Sequence, residues 1–140
     1  MVRLFQFQDL DRIMEIWLEG NLEAHAFIGE AHWRRNYQAV KAILPEAEVY
    51  VYESGIEIQG FIGMDAEYIA GLFVANGYQS KGIGHLLIET VKKKKRLSLH
   101  VYAQNERAVS FYQKEGFLIK SQMTEQETGE KEYLMVFHED

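Results

Sequence analysis

The sequence predicts a mixed α/β sheet of about seven strands with helices on both faces. Two observations carry this. The hydrophobic period is helical up to about residue 44, switches to two from residue 48, and turns helical again after a glycine-rich loop near residue 82. Read in order, the elements run β-α-α-β-β-β-α-β-α-β-β, a meander followed by strand–helix–strand–helix, which suits a sheet covered on two sides.

Each element has a local reason. Residues 2–7 alternate as a short strand, and Asp9 and Asp11 stand where a helix cap or first-turn acid is wanted. Ile13, Ile16, Trp17, Gly20 and Asn21 then follow helical spacing. A second helix over about 30–44 places Trp33, Tyr37, Val40, Ile43 and Leu44 on one face, and Pro45 ends it. Val49 and Val51 alternate with Tyr50 and Tyr52, Ser54-Gly55 is a turn, and strands resume at 56–64 and 68–74. After the glycine-rich loop, Ile83, Leu86, Leu87 and Val91 share a helical face. Residues 97–101 read as a strand, Asn105 as the cap of a short helix, and Gly116 as its stop. Strands at 117–123 and 132–138, joined by a turn at 127–130, close the chain.

Composition bounds the function. The chain has 140 residues, 47% of them hydrophobic and 26% charged, with one proline and no low-complexity stretch, so a single domain over 1–140 is expected. A net charge of −6 argues against a broad basic surface for nucleic acid. Zero cysteines remove disulfides, thiolate metal sites and a cysteine nucleophile together. No apolar run approaches membrane-spanning length and no signal-peptide core precedes the first strand, so a cytoplasmic protein is expected.

The most informative segment is the strand ending at Val74, then Gln79-Ser80-Lys81-Gly82-Ile83-Gly84, then an amphipathic helix. Glycines let main-chain amides converge, and a helix N-terminus favours an anion such as phosphate. A phosphate-binding G-x-x-x-x-G-K-[S/T] loop is excluded because Ile83-Gly84 follow Gly82. The dinucleotide G-x-G-x-x-G pattern fails at Leu87. A tight turn with no ligand is the alternative for the glycines alone.

The wider pattern adds Leu72-Phe73-Val74 before the loop and Asn105-x-x-Ala108-x-x-Phe111-Tyr112-x-x-x-Gly116-Phe117 after it. Together these resemble the GCN5-related N-acetyltransferase (GNAT) superfamily, over about 56–117. Ala24-His25-x-Phe27 is similar to an early segment of its YjaB-type bacterial branch. The resemblance implies the GNAT-like acyl-CoA N-acyltransferase fold and acetyl-CoA as acetyl donor. Its diphosphate would sit on Gln79, Ser80, Lys81, Gly82, Ile83, Gly84 and His85. Its pantetheine arm would pair with Leu72, Phe73 and Val74 on a strand that splays from the next, with Gly71 marking a bulge. It further implies Asn105 near the arm and Tyr112 as donor of a proton to the departing thiolate. A phenol near pKa 10 can protonate a thiolate whose acid is near 8.5. Many members carry a glutamate five residues before the asparagine. Here His100 occupies that place and is the candidate base, with relayed water as the alternative.

His25, Phe27 and Trp33 fall in the segment that borders the acceptor pocket in this family, with core packing as the alternative. The implied reaction is acetyl transfer to a small-molecule or peptide amine by direct attack, with a non-catalytic acyl-CoA-binding module as the competing reading. The Lys92–Arg96 run holds five of fifteen basic residues, and solvated cations at a helix end account for it better than a nucleic-acid or membrane partner. His25 and His32 lack a partner at ligand spacing, so no metal is expected. The chain is expected to act as a monomer or homodimer.

Overall fold

A computed structural model describes residues 1–139. The strands and helices are β1 (Val2–Leu4), α1 (Leu10–Ala24), α2 (Glu30–Ile43), β2 (Glu48–Ser54), β3 (Glu57–Asp65), β4 (Tyr68–Val74), α3 (Ile83–Val91), β5 (Arg96–Tyr102), α4 (Glu106–Lys114), β6 (Leu118–Thr124) and β7 (Lys131–His138). The strands form one sheet in the order β1-β2-β3-β4-β5-β7-β6. Every neighbouring pair is antiparallel except β4–β5, which is parallel.

Alternation distributes the core to both faces. Val49, Val51 and Phe61 turn toward α1 and α2, where Ile13, Met14, Ile16, Trp17 and Trp33 close a first core. Ile62, Met64, Leu97, Leu99, Val101 and Met135 turn the other way, against Ile83, Leu87, Ile88 and Val91 of α3 and Tyr112 of α4. Fully burying one such side chain is worth about 1.5–3 kcal/mol, so each face is stable only with its helices in place.

Three local expectations are corrected. Asp9 is not a side-chain cap: its backbone is already helical, and its carboxylate takes two hydrogen bonds from the Arg3 guanidinium, at 2.9 and 3.0 Å. The Gln6 amide adds a third at 2.8 Å, so the buried acid ties β1 to α1. Leu86 is 45% exposed, and Ile88 fills the core position instead. Ile43, 63% exposed, has rotated off the face shared by Trp33, Tyr37, Val40 and Leu44.

What positions the site is the β4–β5 junction. β5 pairs with β7 along its whole length, from Arg96↔His138 to Tyr102↔Glu132, and β4 pairs with β3 as far as Gly60↔Val74. Between β4 and β5 there is a single bridge, Tyr68↔Ser98, backed by the Ser98 amide donating to the Glu67 carbonyl at 3.0 Å. A register shift opposite Gly63/Met64 leaves Ala70 as the extra residue, immediately before Gly71, where the sequence reading placed a bulge. Bulges bend a strand. β4 therefore leaves the bridge at an angle, and the two strands diverge as a wedge open toward Val74 and Tyr102.

Candidate active site

The β4 wall of the wedge is main chain. The Ala75 amide donates to the Gln59 carbonyl at 2.8 Å, so residues 73 and 75 face β3 with their polar groups. By antiparallel alternation, Leu72 and Val74 turn theirs into the wedge, with no strand opposite. An unpaired run of this kind is costly unless something completes it. Val74 is partly served already: Gln79 Nε2 donates to its carbonyl at 3.1 Å and thereby pins the loop to the strand end. Phe73 enters differently from its neighbours. Its ring stacks on Phe61 at 5.4 Å and lies so close to Gly20 and Gly71 that a Cβ on either would come within 2.9 or 2.8 Å of it. It contributes wall, not main-chain pairing.

At the wide end of the wedge, Gly82 sits at φ 86° immediately before α3, a conformation that side chains with a Cβ adopt at a cost. Its carbonyl accepts from the Leu86 amide at 3.0 Å. The amides of Ile83, Gly84 and His85 thus have no partner within the helix, and the dipole adds partial positive charge beside them. A Cβ on Gly82 would meet nothing within 4 Å, so the space before these amides is open. Gly84 has another reason to be glycine: a Cβ there would stand 3.1 Å from the tip of the Phe111 ring. Around the loop, Ser80 Oγ accepts from Arg107 at 3.1 Å, and the Lys81 ammonium lies 6.0 Å from the Tyr78 ring centre. The Ile83 side chain is buried, leaving only its amide to the loop. His85 is exposed and its Nδ1 is 2.9 Å from both Glu115 oxygens.

α4 contributes Tyr112, which packs in the core between Phe111 and Phe117. Burial, then the nearby Tyr68, push its phenol pKa well above the ordinary value, so the group holds its proton across the physiological range. Among the described residues its hydroxyl has no hydrogen-bond partner.

The facing wall is built from side chains. Asn105 caps α4, its Oδ1 accepting from the Ala108 amide at 3.2 Å, and its Nδ2 reaches His25 Nε2 at 3.1 Å. His25 Nδ1 is 3.0 Å from Asn21 Oδ1, and Asn21 Nδ2 donates to the Trp17 carbonyl at 3.0 Å. These partners assign the proton of a neutral His25 to Nδ1, and burial pushes its pKa down to about 4. Both His25 nitrogens and both ends of the Asn105 side chain are therefore engaged with each other and with the helices. The pair joins α1 to α4. His25 also stacks on Trp33 at 5.3 Å and meets Phe27 at 5.8 Å and Tyr102 at 5.0 Å, so the three residues assigned from the sequence to the acceptor side do come together. The Trp33 indole nitrogen is buried without a partner.

His100 points, as its parity predicts, away from Leu99 and Val101. Its Nδ1 is 2.8 Å from the Tyr68 hydroxyl. Four residues stand here to which the sequence reading gives no site role: Tyr68, Tyr102, Glu125 and Glu132. Tyr102 donates to Glu125 at 2.8 Å, and Thr128 donates to the same oxygen at 2.6 Å. Burial and the neighbouring Glu125 raise the Glu132 pKa, while His100 opposes them. No lysine or arginine pairs with Glu125 or Glu132 among the described residues. Only Tyr102 carried a sequence signal, since it shares the His100 face of the strand.

Outside the wedge, two members of the basic run pair with the fold. Lys92 lies 4.8 Å from the Phe137 ring centre, and Lys94 pairs with Glu48 at 3.0 Å. His85, Glu89 and Glu115 bring their donor atoms within 4.8 Å of one another, with the Lys92 ammonium 3.3 Å from Glu89 and 3.9 Å from Glu115. No helix among the described residues is long and apolar enough to cross a membrane.

This architecture has relatives. The model of the acetyltransferase (GNAT) domain matches residues 18–137. The chain is 34% identical over 138 residues to the peptidyl-lysine N-acetyltransferase YiaC of Escherichia coli, covering 96% of this chain and 94% of that one. The solution structure of apo-form YjaB from Escherichia coli superposes with a TM-score of 0.86 at 22% identity, covering 98% of this chain and 96% of the other. YncA from Salmonella typhimurium, solved with its cofactor acetyl-CoA, shares the fold with a TM-score of 0.74 at 16% identity, over 100% of this chain and 94% of that one. With the wedge, the open helix terminus and these likenesses together, the chain belongs to the GNAT family, the acetyl-CoA-dependent N-acetyltransferases.

Proposed function

We propose that this enzyme acetylates the side-chain amine of lysine in a peptide or protein, and that residues 1–140 act as one catalytic domain. The observation that carries the site assignment is the divergence of β4 from β5 beyond a single bridge, beside helix amides that open onto empty space at Gly82. Acetyl-CoA supplies an acetyl group activated as a thioester. Its diphosphate fits the amides of Ile83, Gly84 and His85, with Gln79, Ser80, Lys81 and Gly82 shaping the loop before them. Its arm fits the free main-chain groups of Leu72 and Val74, with Phe73 as wall.

The residues then divide the work. Tyr112 holds a proton in the wedge and donates it to the departing sulfur. His100 serves as base for the acceptor amine. The amides near Val74 favour negative charge on the thioester oxygen. With no cysteine in the chain, no acetyl-cysteine forms and the amine attacks directly, so positioning supplies much of the rate. His25, Phe27 and Trp33 line the acceptor side, and Asn105 holds that side to α4. Lysine is favoured as acceptor by the peptidyl-lysine activity in the name of YiaC and by Glu125 and Glu132, two carboxylates without a cationic partner.

The test is thiol release from acetyl-CoA with three acceptor sets: lysine-containing peptides, peptides with only a free N-terminus, and small amines, with mass spectrometry locating the acetyl group. Turnover confined to lysine peptides is expected. Acetyl-CoA binding without turnover on any amine would overturn the reading in favour of a binding module.

A further inference from the structure

We propose that the Tyr68 hydroxyl takes the proton from the acceptor amine and hands one on to His100, so that the pair works as the base. The inference rests on the acetyl-transfer reading above. Tyr68 stands at the one β4–β5 bridge, where the wedge closes. Leu72 and Val74 line the wedge above it, so an arm running back along β4 from the loop delivers its far end toward Tyr68, roughly 20 Å of strand from Val74. Tyr68 is half-buried, on the strand whose far end carries Leu72 and Val74. On its other side the hydroxyl is 2.8 Å from His100 Nδ1, and His100 is exposed. The imidazole therefore faces water, with the half-buried phenol inside it at the bridge where the wedge closes.

The proton balance closes without another reactant. One N–H bond of the ammonium breaks as an O–H bond forms on Tyr68, and the original Tyr68 proton moves to His100 Nδ1. The imidazolium releases its Nε2 proton to water, and exchange with water restores the starting tautomer. Tyr68 ends unchanged. The route needs a phenol that stays protonated, which burial and the charges of Glu132 and Glu125 favour. The ionisable groups facing the pair are Tyr112 from α4, Glu132 from β7 and Glu125 from the β6–β7 connection.

The experiment compares the full chain with Tyr68→Phe, which keeps the ring, and with His100→Gln. Both variants should bind acetyl-CoA like the parent by calorimetry and keep the KM for a lysine peptide, while kcat near pH 7 falls about 100-fold, the usual scale for losing a positioned base. The deficit should shrink as pH rises toward the amine pKa of about 10.4, where free amine needs no relay. The double variant should be no worse than either single one, because the two groups act as a unit. Independently of turnover, nitrogen NMR of the ligand-free protein should find the neutral His100 ring unprotonated at Nδ1, with that signal moving in Tyr68→Phe. A neutral ring protonated at Nδ1, wild-type kcat in Tyr68→Phe, or a deficit that does not change with pH would each overturn the relay. Absence of acetyl-CoA binding in the parent would instead overturn the acetyl-transfer reading itself.

Discussion

The two walls of the wedge are made of different material. On the side proposed for the cofactor the polar groups are main chain: Leu72, Val74 and the amides opening α3, all between residues 72 and 85. On the acceptor side they are side chains gathered from α1, β4, β5, the start of α4 and the β6–β7 connection, with His25 and Asn105 meeting across 80 residues of sequence. A main-chain site depends on where glycines and helix starts fall, and on little else. A side-chain site depends on which strands become neighbours. The first tolerates change in most side chains; the second changes character with each residue that lines it.

The strongest way to break this comparison is Gly82→Asp. A side chain at φ 86° is strained, and its carboxylate would occupy the open space in front of the amides. Acetyl-CoA affinity is expected to fall at least about 100-fold, or ~2.7 kcal/mol, while circular dichroism and the His25 NMR signals stay native. Micromolar binding in this variant would mean that the main-chain wall does not hold the diphosphate.

Tyr112→Phe comes next and bears on the side chain proposed as the acid. We expect kcat to fall about 100-fold with acetyl-CoA affinity unchanged. Because the hydroxyl has no hydrogen-bond partner among the described residues, its removal should leave stability nearly unchanged, read from the denaturation midpoint. A loss of stability with kcat intact would make Tyr112 a core residue only.

The same contrast explains what could be read without coordinates. Strand β4 and the loop up to Gly84 were legible because their signals are local: alternation, then glycines, then a helical period. The splaying of β4 from the next strand is implied by the family resemblance, whereas the single bridge and its cause, a bulge at Ala70 together with full-length pairing on the outer sides, need the sheet. Asp9 was misread because a capping position also suits an acid that answers an arginine on the preceding strand. Leu86 and Ile88 were exchanged because adjacent apolar residues at a helix face are separable only by what packs on them. Tyr68 carried no signal at all, since its partner His100 lies 32 residues further on.

Gly84→Val sharpens the comparison within the loop itself. If Gly84 is glycine for packing, a branched side chain should drive into Phe111 and cost about 2 kcal/mol of stability. The denaturation midpoint should drop accordingly, and Phe111→Ala in the same chain should return part of the loss. A stable Gly84→Val protein that no longer binds acetyl-CoA would instead place Gly84 with Gly82, as part of the cradle.

The smallest expected effect belongs to the acceptor wall and appears only in acid. His25 has an ordinary pKa of 6.5, and burial lowers it to about 4 in the folded chain. Between those values the unfolded chain binds a proton that the folded one refuses. The stability tied to neutral His25 is therefore complete above pH 6.5 and is lost as pH falls through 4. Protonation also ends the Asn105 contact, because Nε2 can no longer accept. The melting temperature of the parent should fall faster than that of His25→Gln between pH 6.5 and 4, and the two curves should run parallel above that range. Glu125 is the charge that opposes burial here. Removing it with Glu125→Gln lowers the folded pKa further, so that variant should lose more stability than the parent at the acid end. Parallel curves throughout would mean that the imidazole titrates alike in both states and that the strut between α1 and α4 is not held by a buried neutral ring.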